Sequence, residues 1–130
     1  MFTRIAFYLI FYPLSIIPLC LLYLIAIPLY LILGFVFGYR KKIIDKNLKN
    51  SFPEFDARMI KKIRNKFYWH LTLLGIEMLK MISMSRKNVM CRYHCSNPEV
   101  VNKFFDEGKS VILTSSHYNN WEWMVLSLDM

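Results

Sequence analysis

From Ile5 to Tyr39 the chain carries no charged side chain, thirty-five consecutive positions that are apolar or weakly polar. A single helix of that length would run ~52 Å against a bilayer hydrocarbon core of ~30 Å, so one straight perpendicular helix is excluded. Pro13, Pro18 and Pro28 interrupt the run, and each removes a backbone donor and kinks or ends a helix. The prolines predict an interfacial segment near residues 2–17 and a spanning helix near 19–37. A shallow hairpin that never crosses the bilayer is the competing arrangement. The run is too long for a cleaved signal peptide, and no A-x-A site follows it. Leu19 before Cys20 speaks against lipid attachment there, leaving a membrane-buried thiol. Tyr8, Tyr12, Tyr23, Tyr30 and Tyr39 suit interfacial anchoring, or they simply pack.

Charge arrives at once after this run. Between Arg40 and Lys66 there are ten Lys or Arg against Asp45, Glu54 and Asp56, a net +7 of the chain's +8. Before the run stand only Arg4 and the amino terminus, so the positive-inside rule puts everything after Tyr39 in the cytoplasm. Such a block holds a domain to anionic head groups at ~1 kcal/mol per charge. It also draws in phosphorylated lipids and acidic proteins. Nucleic-acid binding is the alternative use of such a block, but a nucleic-acid-binding protein gains nothing from the preceding membrane segment, so no nucleic-acid partner is expected.

Lys41–Asn50 reads as a short amphipathic helix with Ile43, Ile44 and Leu48 on one side, broken at Ser51-Phe52-Pro53. Asp56 then caps a long helix whose apolar residues recur at Ile60, Ile63, Phe67, Leu71, Leu74, Met78 and Ile82, a stripe expected to pack on a sheet. Within it His70 and Glu77 read as structural or exposed. Asn88–Cys95 alternates, with Val89, Cys91, Tyr93 and Cys95 on one face, and predicts a strand. Asn97-Pro98-Glu99 starts a helix that buries Val100, Val101, Phe104 and Phe105 and stops at Gly108. Val111–Thr114 predicts a second strand. The order strand, helix, strand, helix implies a right-handed βαβ unit and a parallel sheet. The fold expected is therefore α/β, an amino-terminal membrane helix followed by the first helices and the βαβ unit of an incomplete α/β domain. Its divisions are a membrane anchor over 1–39, a basic amphipathic helical region over 40–87 and the start of the α/β domain over 88–130.

The segment VILTSSHYNNWEW, Val111–Trp123, carries the chemistry. His117 falls just past the expected strand's carboxyl end, where open α/β sheets place ligands. Asn119 or Asn120 caps a new helix that runs on through Trp121, Glu122 and Trp123. With Glu122 in the first turn, the carboxylate and the imidazole can meet. A neutral imidazole is the side chain best poised to accept a proton near pH 7. A carboxylate on its far nitrogen fixes the tautomer and stabilises the imidazolium. No nucleophilic serine or cysteine is placed by spacing, although Ser115 and Ser116 are close, so the simpler scheme has the base act on a substrate hydroxyl. Amides at the helix start would stabilise a developing oxyanion.

HYNNWE, a His-x4-Glu, resembles the H-x4-D/E signature of glycerolipid and lipid A acyltransferases. Glu in the acidic position and the flanking NWEW resemble most the lipid A biosynthesis (late) acyltransferases. YRKKIIDKNLKNSFPEF, some seventy residues earlier, is similar to the segment that follows the membrane anchor in the same family. The resemblance implies a glycerolipid-acyltransferase-like α/β domain at the bacterial inner membrane. It also implies acyl transfer from an acyl carrier protein thioester, or acyl-CoA, to a hydroxyl of a phosphorylated lipid A precursor. His117 matches the family's general base and Glu122 the acid that orients it. Asn119, Asn120 and Trp121, which lie between them, are expected to contact substrate. No cofactor and no metal are expected. Cys91, His94 and Cys95 invite a metal reading, but in a strand His94 points away from both thiols, and the thiols lie ~13 Å apart, beyond disulfide reach. Three cysteines without a framework suit a reducing cytoplasm.

The resemblance covers the whole chain but only the family's amino-terminal half. The expectation is a fragment that is inactive by itself, the chemistry belonging to the complete parent. Two alternatives stand beside the lipid A reading. One is a glycerophospholipid or aminolipid O-acyltransferase, whose usual acid is Asp where this chain has Glu122. The other is a non-enzymatic basic membrane-anchoring module in which His117 is structural.

Overall fold

A computed structural model describes residues 2–128, which form two compact units, residues up to Ser83 and residues from Met84 on. It is 69% helical, with no strand among the described residues.

The first unit begins with one continuous helical run: α1 (Phe2–Ala6), a π-helical stretch (Phe7–Phe11) and α2 (Tyr12–Ile16). Pro18 ends it. A residue before proline is pushed out of the helical region, and Ile17 adopts ψ 136°. The chain re-enters a helix at α3 (Leu19–Leu31), which continues as a π-helical stretch, Ile32–Val36. The break between an outer segment and a longer apolar helix thus falls where the prolines predict it. Leu19–Val36 has a mean hydropathy of 2.6 and is long and apolar enough to cross a membrane.

A break inside an apolar region leaves helix-terminal carbonyls without partners. Here the end of a later helix supplies them. Lys80 Nζ donates to the carbonyls of Ser15 (2.7 Å) and Ile17 (3.1 Å), and Ser83 Oγ donates to that of Ser15 (2.6 Å). The ammonium group also faces the negative end of the α2 dipole.

A turn through Gly38–Arg40 leads into α4 (Lys41–Ser51), and Asp56 caps α5 (Ala57–Met81) by accepting from the Met59 amide at 2.6 Å. Successive pairings run in opposite chain directions, so α3 and α5 are antiparallel: Tyr23 donates to Glu77 at 2.8 Å, Tyr30 meets Trp69 edge-on, and the Tyr68 ring lies on Gly34. A Cβ at residue 34 would stand 3.0 Å from Tyr68 Cδ2, so any larger residue there would have to push the Tyr68 ring back. Tyr68 Oη reaches the Tyr39 carbonyl at 2.9 Å. Leu22, Ala26 and Ile76 form the core, with Ile17, Leu19, Tyr23 and Leu73 around it. Arg64 grips both carboxylate oxygens of Asp45 at 2.5 and 2.7 Å and ties α4 to α5.

The long helix therefore forms as its periodicity predicts, but it packs on α3 and not on a sheet. Its buried line is also rotated from the expected stripe, passing through Ile60, Tyr68, Thr72 and Ile76, with Phe67 and Met78 exposed.

The second unit departs most from expectation. Residues 88–95 do not form a strand. Ser85 caps a short helix, α6 (Arg86–Met90), and the chain then turns, with the Arg92 and Tyr93 amides both bonded to the Val89 carbonyl. Helix α7 (Glu99–Asp106) starts and stops where Pro98 and Gly108 predict, and Gly108 takes φ +69°. Its apolar side is not covered, however: Val100, Phe104 and Phe105 are exposed. Val111–Thr114 is not a strand either, and Ile112 and Leu113 are 89% and 59% exposed. A strand's amides and carbonyls need a neighbouring strand. With residues 86–90 wound into α6, none exists among the described residues. The α/β expectation, the βαβ unit and its parallel sheet are overturned. The unit's core is instead α6 packed on α8 (Glu122–Leu128), with Val89 and Trp123 buried.

Candidate functional site

The segment from Thr114 to the start of α8 is a chain reversal. The Tyr118 amide bonds back to the Ser116 carbonyl at 2.8 Å, and Asn119 takes φ +55°. Asparagine is among the few residues that tolerate that conformation. His117 therefore sits on the crest of the reversal, exposed to solvent. Its imidazole stands edge-on to the Trp121 ring, centroids 4.5 Å apart and planes at 64°.

Helix α8 opens with the Trp123 amide on the Asn120 carbonyl and the Met124 amide on that of Trp121. Glu122 is its first residue and is half-buried. The expected helix start beyond the asparagines is present. No hydrogen bond or ion pair joins His117 to Glu122 among the described residues. The ring contact that the structure gives His117 is with Trp121.

Beside the reversal lies an open cavity of about 400 Å³. Asn119, Asn120 and Trp121, the three residues expected to contact substrate, line it together with Ser115, Ser116 and Tyr118. Two wall residues escaped the reading of the sequence, Arg92 and Tyr93. The Arg92 guanidinium lies over the Trp123 ring, 5.6 Å from its centroid. Reading residues 88–95 as a strand hid both, because alternation assigned them to faces of a sheet. Cys91 and Cys95 are free and exposed, and no cluster of three or more metal-ligating side chains occurs among the described residues.

His70 is exposed on α5, whereas Glu77 accepts from Tyr23, so Glu77 serves the α3–α5 contact. Tyr68, on α5, is an ionisable group shifted by its surroundings. Burial pushes its phenol above 10.0, Arg64 pulls against that, and Asp45 adds to it.

Neither the curated proteins nor the solved structures contain a match to the chain. The family described as bacterial lipid A biosynthesis acyltransferase does match, over residues 5–130. That span takes in the apolar run, the basic segment and the reversal bearing His117. The chain belongs to the bacterial lipid A biosynthesis acyltransferase family.

Proposed function

We propose that the protein moves a fatty acyl chain from an acyl carrier protein thioester to a hydroxyl of a phosphorylated lipid A precursor, at the cytoplasmic face of the bacterial inner membrane. The observation that carries this reading is the family match over residues 5–130, with HYNNWE inside it. His117 is the base. It takes the acceptor's hydroxyl proton as that oxygen attacks the thioester carbonyl. The carbon–sulfur bond then breaks, and the imidazolium returns the proton to the leaving thiolate. Glu122 orients the imidazole and stabilises its charged form. Catalytic hydrogen bonds are often unmade until substrate arrives, so the reversal closes on Glu122 in the loaded site. Asn119, Asn120 and Trp121 hold the acceptor.

Support for the membrane location comes from Leu19–Val36 and from the basic segment after it. Positive-inside orientation puts the segment, and the site beyond it, on the cytoplasmic side. The same charge attracts the acidic carrier protein and the phosphorylated acceptor.

Mass spectrometry of lipid A from cells carrying or lacking the intact gene tests this. Lipid A short of one acyl chain in the deletion is the expected result. Unchanged lipid A with altered phospholipids contradicts it and transfers the chemistry to a glycerophospholipid acceptor.

A further inference from the structure

Along the α3–α5 seam runs an open cleft of about 700 Å³. One wall is Leu29, Ile32, Leu33 and Phe37, the other comes from α5 around Leu71, Gly75 and Leu79, and Phe11 contributes from the first helical run. Its one hydroxyl, on Thr72, already donates to the Tyr68 carbonyl at 2.8 Å. The cleft therefore offers no free donor to a polar occupant, and burying an unmatched polar group there is costly. A hydrocarbon chain makes no such demand. The volume lies within the ~300–1,000 Å³ of small-ligand clefts.

Gly75 marks the cleft as kept open. Glycine is unfavourable in a helix interior, and at residue 75 no close contact requires it, since an added Cβ would meet nothing within 4 Å. Gly34 in the same seam is different, being pressed against Tyr68.

Charge selects the occupant. Phe37, at one end of the cleft, is followed within five residues by Arg40, Lys41 and Lys42, the start of the +7 segment. A second copy seated here would bring two such segments together, and like charges oppose that. An anionic head group neutralises them.

We propose that this cleft holds one acyl chain of an anionic membrane phospholipid, its head group at the basic turn Arg40–Lys42. The cleft is lined by residues of the first unit alone, and the proposal does not depend on the reaction proposed above.

The test uses the intact protein extracted in mild detergent and exchanged into phosphatidylglycerol or phosphatidylcholine, with bound lipid read by native mass spectrometry. The wild type is expected to retain one phosphatidylglycerol per chain. Its preference over phosphatidylcholine should be about fivefold or more, the factor one basic side chain near a membrane surface supplies. Gly75→Phe, which fills the cleft, should lose that lipid, while Gly75→Ala keeps it. Circular dichroism confirms that both variants are as helical as the wild type. If Gly75→Phe is misfolded, Leu33→Trp provides the same block from the opposite wall. Equal retention by the wild type and a folded blocked variant overturns the proposal, as does indifference to the head group. A dimer that Gly75→Phe abolishes also overturns it, by showing that a second copy covers the cleft.

Discussion

Two glycines on one seam show how little the residue type alone says. Gly34 meets the buried Tyr68 ring, so Gly34→Val should destabilise by about 1–3 kcal/mol through overpacking. Gly75 meets nothing, and Gly75→Ala should stabilise by up to ~1 kcal/mol through helix propensity. Thermal unfolding in detergent checks both, and equal effects would contradict the packing described. Tyr68 also couples stability to pH. Its folded pKa is raised above 10.0, so the unfolded chain loses this proton first. The contribution is complete below about pH 10 and is lost as pH rises through the folded pKa. Tyr68→Phe should remove that alkaline dependence, while costing about 1 kcal/mol at neutral pH for the bond to the Tyr39 carbonyl. A wild type and Tyr68→Phe with parallel stability curves up to pH 11 would contradict it.

Among the elements, those written by local chemistry were legible in the sequence. Pro18 broke the apolar run, Asp56 capped α5, and Pro98 and Gly108 bounded α7. What long-range contacts decide was not legible. The face of α5 that packs was misjudged because its partner is α3, whose apolar surface runs all round and gives no register. Lys80 looked like one more charge, yet it closes the end of α2 across more than sixty residues of sequence. Lys80→Met should therefore cost about 1.5–3 kcal/mol, the range for charge-assisted bonds. A loss no larger than an ordinary surface substitution would contradict that role. The strands failed for a related reason. Alternation at Val89–Cys95 and the apolar run at Val111–Leu113 record side-chain pattern, whereas a strand also needs a partner for its backbone. Hydrogen exchange of this chain should find the amides of Ile112–Thr114 unprotected, and strong protection there would contradict the unpaired conformation.

At the scale of the whole molecule, charge and chemistry are divided between the units. All of the net +8 lies in residues 1–83, while residues 84–130 carry five basic and five acidic side chains. The first unit has the composition of a membrane-held body, and the second carries His117. The candidate site was legible as a motif, because His117 and Glu122 are read at fixed spacing on either side of a helix start. Its geometry was not, since the sequence does not reveal that the imidazole rests on Trp121. The most direct measurement is acyl transfer from an acyl carrier protein thioester to a lipid A precursor by the intact gene product. His117→Ala should lower the rate by about 10²–10⁴-fold, and Glu122→Gln should lower it substantially, with both variants folded and membrane-bound. Full activity in both variants would show that the proton leaves by another route.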